Sequence, residues 1–394
     1  MRILVLAAKP LRLQSGDGLR FVNVARRMRA AHSFELLCFA KAGQELDGES
    51  SAVFDRFTLL LRPIEESRSL AKRVFSSLSS RHFSPESAEM KSAVAAALPR
   101  CDLVLDIGGL MLGNLPPLGA SPPVVVDSID EPEITFTRAL EHAAWSDKPR
   151  VLRTLLIYRR INRKISARVL ANVYSSELDS AHYARCFPSS RVETIPNGVD
   201  AEYFHPSANP PDPNRIAFEG NMQFGPNIDA ALTLCRDIMP LLWNTRAELR
   251  LELIGRDPTP EIRALASDRI LVSGTLPDIR EHLGRASVFV CPMRLGAGIK
   301  NKVLQAWAMA LPVVASSQSI GGLDAREGEN VLIRDEPAAF ATAVGEVLSN
   351  PSLAKKLAAN GRAIAIEKYS WGSQALRFER LFEELCAKRS GSAR

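Results

Sequence analysis

Short apolar runs separated by stretches of helical period constrain the fold of this chain more than any other feature of its sequence. Ile3 to Leu6, Phe34 to Phe39, Leu103 to Asp106, Val124 to Val126 and Val169 to Tyr174 are each followed by a helical pattern or a glycine. That is the punctuation of βαβ units, and hence of a mostly parallel sheet. The rhythm stops at Pro206-Ser207-Ala208-Asn209-Pro210-Pro211-Asp212-Pro213, where four prolines in eight residues oppose both helix continuation and central-strand pairing. It restarts with Arg215 to Phe218, Leu249 to Ile254, Ile270 to Val272, Val288 to Val290, Val313 to Ala315 and Val331 to Ile333. No short-period repeat underlies this, so the reading is two like α/β domains and not a solenoid. The expected division is a Rossmann-like domain over 1–205, a second over 206–370, and a closing helix over 371–394 that packs back towards the first. A length of 394 residues is enough for two such cores. Ligands of open parallel sheets sit at the carboxyl ends of the strands, so chemistry is expected in the loops that follow each apolar run, in a cleft between the two sheets.

The composition, 46% hydrophobic and 24% charged, is that of a soluble globular chain and excludes a disordered or fibrous one. Cys38, Cys101, Cys186, Cys235, Cys291 and Cys386 are scattered without a C-x-x-C pair, which fits a reducing compartment and speaks against a zinc site. The opening apolar run is too short for a signal-peptide core, and no run reaches the length of a membrane span, so a cytoplasmic protein is expected. The net charge of +6 is concentrated: Lys148, Arg150, Arg153, Arg159, Arg160, Arg163, Lys164 and Arg168 share one predicted helix with Leu152, Leu155, Leu156, Ile161 and Ile165. Two readings stay open for it. One is a basic amphipathic helix resting on the anionic inner face of the cytoplasmic membrane; the other is a solvated face over an apolar core stripe.

The strongest local motif is Pro292-Met293-Arg294-Leu295-Gly296-Ala297-Gly298-Ile299-Lys300-Asn301-Lys302, entered from a buried strand and leading into a helix that runs to Ala310. Gly296 and Gly298 allow close backbone approach to a ligand, and the helix directs its free N–H groups and positive dipole end at an anion. Arg294, Lys300 and Lys302 add positive charge suited to a diphosphate. Glycine spacing alone is equally compatible with a turn carrying a solvated basic face.

The wording of this stretch resembles the retaining GT-B-fold glycosyltransferases of family four, especially the branch serving exopolysaccharide assembly. The run from Gly298 through Asn301-Lys302-Val303-Leu304-Gln305-Ala306-Trp307-Ala308 to Pro312-Val313-Val314 carries the likeness, together with Ile195-Pro196-Asn197-Gly198-Val199-Asp200 and Ser15-Gly16-Asp17-Gly18-Leu19-Arg20. The resemblance implies a metal-independent, cofactor-free glycosyl transfer with retention of configuration. The donor is then a nucleotide-sugar of UDP, GDP or dTDP type, and the acceptor a saccharide, a lipid-linked molecule or a small molecule. It implies that Gly296, Ala297, Gly298, Ile299, Lys300 and Lys302 surround the diphosphate, that Thr275 and Leu276 meet the base through their backbone, and that Gln305 reaches the ribose. Gly16 and Gly18 would face the diphosphate from the other domain. Family members usually carry two glutamates eight positions apart where this chain has Ala297 and Gln305, and an Arg and Lys pair where it has Glu219-Gly220-Asn221-Met222-Gln223-Phe224-Gly225-Pro226-Asn227. The diphosphate charge then falls on Arg294, Lys300 and Lys302. An amide at 305 accepts a weaker hydrogen bond than a carboxylate would, or else is a helix-surface residue without a ligand.

In the first domain Asp127 and Asp130 follow the Val124 to Val126 run, where a carboxylate orients or deprotonates an acceptor hydroxyl, or simply caps the next helix. None of the six histidines stands in a metal or triad spacing. The Gly16-x-Gly18-x-x-Phe21 run lacks the third glycine of a dinucleotide fingerprint, which speaks against a dehydrogenase reading. A nucleotide-sugar epimerase of the same fold and a non-catalytic, membrane-associated scaffold are the alternatives to transfer. Nucleic acid is not an expected partner, because 44 acids offset most of the positive charge.

Overall fold

The computed structural model describes residues 1–13, 15–63, 85–117, 122–142, 145–296 and 298–392. The chain forms two compact units, Met1–Pro196 with Gln374–Arg394, and Asn197–Ser373. The division falls at Pro196, upstream of the proline run, and the closing helix Trp371–Ser392 contributes its residues from Gln374 onwards to the first unit.

The first unit holds a seven-stranded sheet of β1 (Arg2–Ala7), β2 (Ser33–Ala40), β3 (Arg56–Leu61), β4 (Leu103–Ile107), β5 (Val124–Ile129), β6 (Ala171–Tyr174) and β7 (Val192–Thr194). Their order is β3-β2-β1-β4-β5-β6-β7, with every pairing parallel. Parallel strands need crossovers on both faces, so the central strands read as continuous apolar runs. Leu4, Val5, Leu36, Val104 and Val125 are accordingly without exposed surface. β3 and β7 lie at the two edges, are nowhere fully buried, and so lack the apolar run that marks the others.

The second unit repeats the plan with β8 (Asp212–Glu219), β9 (Arg250–Ile254), β10 (Ile270–Gly274), β11 (Ala286–Cys291), β12 (Val313–Ala315) and β13 (Leu332–Ile333), all parallel, in the order β10-β9-β8-β11-β12-β13. Strand order reverses between β8 and β11 here, and between β1 and β4 in the first unit. Crevices open at such points beyond the strand carboxyl ends. Two loops therefore command the second unit's crevice: Gly220 to Phe224 after β8, and Pro292 to Lys300 after β11. The helix Asn301–Ala308 that follows is held by its apolar face, with Val303, Leu304, Ala306, Trp307 and Ala308 buried. The Trp307 indole donates to the Asn330 carbonyl at 3.0 Å, which fixes the direction of the helix and so of its amino end.

Candidate functional site

The amino end of helix Asn301–Ala308 is left open by its own sequence. Lys300 occupies the capping position with an extended backbone, and no side chain caps the first turn. Serine, threonine or aspartate would have done so; without one, the first N–H groups keep their preference for an anion. Gly296 and Gly298 take φ of +102° and +71°, values that an L side chain rarely adopts, so this curl of the loop rests on glycine at both positions. The amide of Gln318 donates to the Gly296 carbonyl and anchors the loop from behind.

The three cations expected here have different surroundings. Lys302 directs its ammonium at the Asn227 side-chain carbonyl, 2.6 Å away, and lies 4.6 Å from the centre of the Phe218 ring. Asn227 is held in turn by donation to the Asn221 carbonyl at 2.9 Å. A Cβ at position 220 would stand 2.6 Å from the Lys302 ammonium, so glycine there is what admits the lysine to the crevice. Burial pushes the Glu219 carboxyl above the usual carboxylate range, and the charge of Lys302 offsets part of that rise. Lys300 is buried and donates to the Gly298 carbonyl at 2.9 Å. Arg294 is turned elsewhere: its guanidinium makes a two-point contact with Asp229, with Nε 3.0 Å from one carboxylate oxygen, and this pairing raises its already high pKa. Sequence reasoning missed Asn227 and Asp229 because they stand 75 and 65 positions from their partners, and only the fold brings them together.

On the same helix Gln305 is half-buried, and its side-chain oxygen, out of contact with solvent, has no hydrogen-bond partner. A buried acceptor left unpaired costs free energy, so it is a place where a ligand hydroxyl would be welcome. Ile299 is buried in the core of the unit. Thr275 is exposed and follows β10, where Gly274 has φ of +67°; it lines a cavity of about 380 Å³ with Asp257, Pro258, Arg263, Ala266 and Ser273. Leu276 packs, partly buried, on the core. Ala297 lies outside the described residues.

In the first unit β5 separates the two candidate aspartates. Its pairing with β6 shifts register between Asp127 and Ile129, and Ile129 takes φ of +69°. Bulges of this kind re-aim side chains, and positive φ at a β-branched residue stores strain that the surroundings must hold. Asp127 is turned inward to Arg20, with Nε to Oδ2 at 2.8 Å and side-chain exposures of 4% and 1%. Arg20 also donates to the Ile195 and Pro196 carbonyls at 2.7 and 3.0 Å. Asp130 is turned outward, exposed, and accepts from the Ser175 hydroxyl at 3.3 Å. A carboxylate caps the next helix. Glu131 supplies it, accepting from the Glu133 backbone N–H at 2.9 Å, while its carboxylate also receives Asn162 at 2.9 Å and Tyr174 at 2.7 Å. Gly16 and Gly18 begin the helix Gly16–Met28. A Cβ on Gly18 would collide with the backbone of Arg12, and its N–H is taken by Ser15 and Asp17, whereas Gly16 has open space beside it.

The basic helix, Lys148–Arg168, carries both buried and exposed apolar side chains. Leu155, Ile161 and Ile165 are buried, while Leu152 and Leu156 are 43% and 49% exposed. Arg159 bonds Glu133, and Arg168 bonds the Leu112, Leu115 and Pro116 carbonyls, so part of the charge is spent inside the unit. Among the described residues no helix is long and apolar enough to cross a membrane.

Residues 213–350 match the family described as Glycosyl transferases group 1. Over 322 residues the chain is 27% identical to the GDP-mannose-dependent alpha-(1-6)-phosphatidylinositol monomannoside mannosyltransferase of Mycolicibacterium smegmatis, an alignment covering 73% of this chain and 79% of that protein. Its fold is similar to that of sucrose-phosphate synthase from Thermosynechococcus elongatus, with a TM-score of 0.70 and 17% identity over 98% of this chain and 100% of the other. Anabaena HepE in complex with UDP is similar too, with a TM-score of 0.68 and 14% identity over 98% and 100% of the two chains. The two parallel-sheet α/β units therefore have the architecture of GT-B glycosyltransferase structures, and the matched family together with the mannosyltransferase supports glycosyltransferase activity for this chain.

Proposed function

We propose that this chain transfers a sugar from a nucleotide-sugar donor, with retention of anomeric configuration and without a metal ion in the transfer step. The uncapped amino end of helix Asn301–Ala308, with Lys302 beside it, carries the reading. Backbone N–H groups and a fixed ammonium are suited to the charge that develops on a departing diphosphate. Lys300, within the same loop, adds a second cation, and Gln305 offers its unpaired oxygen to a ribose hydroxyl. Arg294 is reassigned: paired with Asp229, it holds the loop against helix Gly225–Thr233 and does not meet the phosphates. Thr275 and Leu276 remain the proposed base contacts, beside the cavity at the end of β10.

In the first unit Asp130 is the proposed acceptor-facing carboxylate, and Asp127 a buried counter-ion for Arg20. The donor is of UDP, GDP or dTDP type, and the acceptor a saccharide, a lipid-linked molecule or a small molecule. The exposed leucines and arginines of helix Lys148–Arg168, with Trp145 86% exposed just before it, favour a peripheral contact with an anionic bilayer. Neither epimerisation nor a non-catalytic scaffold gains support from the family match. The test is a thermal-shift screen of nucleoside diphosphates and their sugars, followed by NMR of the product anomer. A ligand at a hundredfold excess over its Kd should add about 2.7 kcal/mol of stability. No shift with any nucleotide refutes donor binding, an inverted product refutes retention, and activity lost to a chelator and restored by manganese refutes the metal-free step.

A further inference from the structure

Among the described residues, Glu133, His182 and Cys186 bring one ligand atom each to within 4.8 Å of one another. His182 and Cys186 are four positions apart on helix Glu177–Cys186, so they share one face and their spacing is fixed by the helix itself. The Cys186 sulfur lies 3.8 Å from His182 Nε2. Glu133, from helix Pro132–His142, places Oε2 at 3.9 Å from the same nitrogen. That is too long for a hydrogen bond and a few tenths of an ångström wider than two ligands of one ion require, a gap that a side-chain rotation closes. Zinc bonds of about 2.0–2.3 Å at near-tetrahedral angles separate neighbouring ligands by roughly 3.3–3.8 Å. The other Glu133 oxygen is occupied by Arg159 Nε at 2.8 Å, which fixes the carboxylate plane and leaves Oε2 directed at the pair.

We propose that Glu133, His182 and Cys186 bind a thiophilic divalent cation, with zinc favoured by the sulfur, nitrogen and oxygen donor set, and water completing a four-coordinate shell. Loading forms a metal–sulfur bond and releases the Cys186 thiol proton to solvent; the carboxylate and thiolate then balance the charge of the ion. The ion cross-links helices Pro132–His142 and Glu177–Cys186, and so braces the turn between Asp130 and Glu133. Cys186 is exposed and His182 half-buried, which gives the ion a direct route from solution.

The experiment is a cobalt titration of the full-length, tag-free, reduced and metal-stripped protein, read by absorbance. The expected result is one equivalent of cobalt with a thiolate-to-cobalt charge-transfer band, bleached by zinc, lost in Cys186→Ser and weakened at least tenfold in His182→Ala. Cys101→Ser should leave the band intact. Cys186 is on the surface, so its serine variant should fold, as circular dichroism will check. Absence of the band, or a band that survives Cys186→Ser, overturns the proposal.

Discussion

Replacing Asp127 by alanine distinguishes a structural carboxylate from a catalytic one. In the native first unit its Oδ2 is 2.8 Å from the Arg20 guanidinium, and the two side chains are only 4% and 1% exposed. Arg20 bonds the Ile195 and Pro196 carbonyls and lies 5.2 Å from the centre of the Phe378 ring, so it cannot swing into water without disturbing the packing around it. Deleting one member of a buried pair typically costs about 3–5 kcal/mol, because the other charge loses its compensation. The carbonyl partners that Arg20 retains put the expected loss near the lower end, about 3 kcal/mol, or roughly a hundredfold in the unfolding equilibrium. Urea denaturation followed by far-UV circular dichroism reads the total. Hydrogen exchange in peptides spanning 124–129 should accelerate by a similar factor if the loss is local to β5. The double variant Arg20→Met with Asp127→Leu removes both charges and should recover at least half of the stability. Below its melting range, Asp127→Ala should keep kcat within a few-fold of the parent. A stability loss under about 1 kcal/mol, combined with a hundredfold fall in kcat, would refute this assignment and return Asp127 to the chemistry.

Lys302→Ala should lower kcat by about 10²–10³, the usual effect of removing one group that stabilises developing charge, and steady-state kinetics on the folded variant checks it. Gln305→Ala should instead raise the donor KM with little change in kcat, because a ribose contact is made equally before and during reaction. The raised pKa of Glu219 gives a signed pH effect: above it the carboxylate offsets Lys302 and weakens diphosphate binding, so donor affinity should fall as pH rises through that pKa. By linkage donor binding then takes up protons, which calorimetry in buffers of different ionisation enthalpy measures and Glu219→Gln should abolish. Vesicles rich in anionic lipid should sediment the protein where neutral vesicles do not, and Trp145→Ala with Leu152→Ser should weaken that binding.

The fold was legible where burial writes a pattern into the sequence. Runs such as Ile3 to Leu6 and Val288 to Val290 lie in the buried strands β1 and β11, whose apolar faces on both sides leave no room for alternation. The edge strands β3 and β7 carry no such signal, because half-exposed strands admit polar residues and resemble loops. The glycine and lysine loop was legible for a different reason. Positive φ at Gly296 and Gly298 and an uncapped helix start are local requirements, and local requirements leave local residues behind.

Charge partners leave no such trace. Arg294, Lys300 and Lys302 look alike in sequence, yet Asp229 claims the first, a loop carbonyl the second and an asparagine the third. The two aspartates at the end of β5 differ in the same way: three positions apart, one within the strand and one just after it, they are sent to opposite environments by one register shift and one positive φ at Ile129, which no residue pattern announces. His182 and Cys186 gain meaning only when Glu133 arrives from another helix. A chain therefore displays which side chains are able to do chemistry, whereas their employment depends on the counter-charge that tertiary structure brings within about 4 Å, where desolvation makes each pairing decisive.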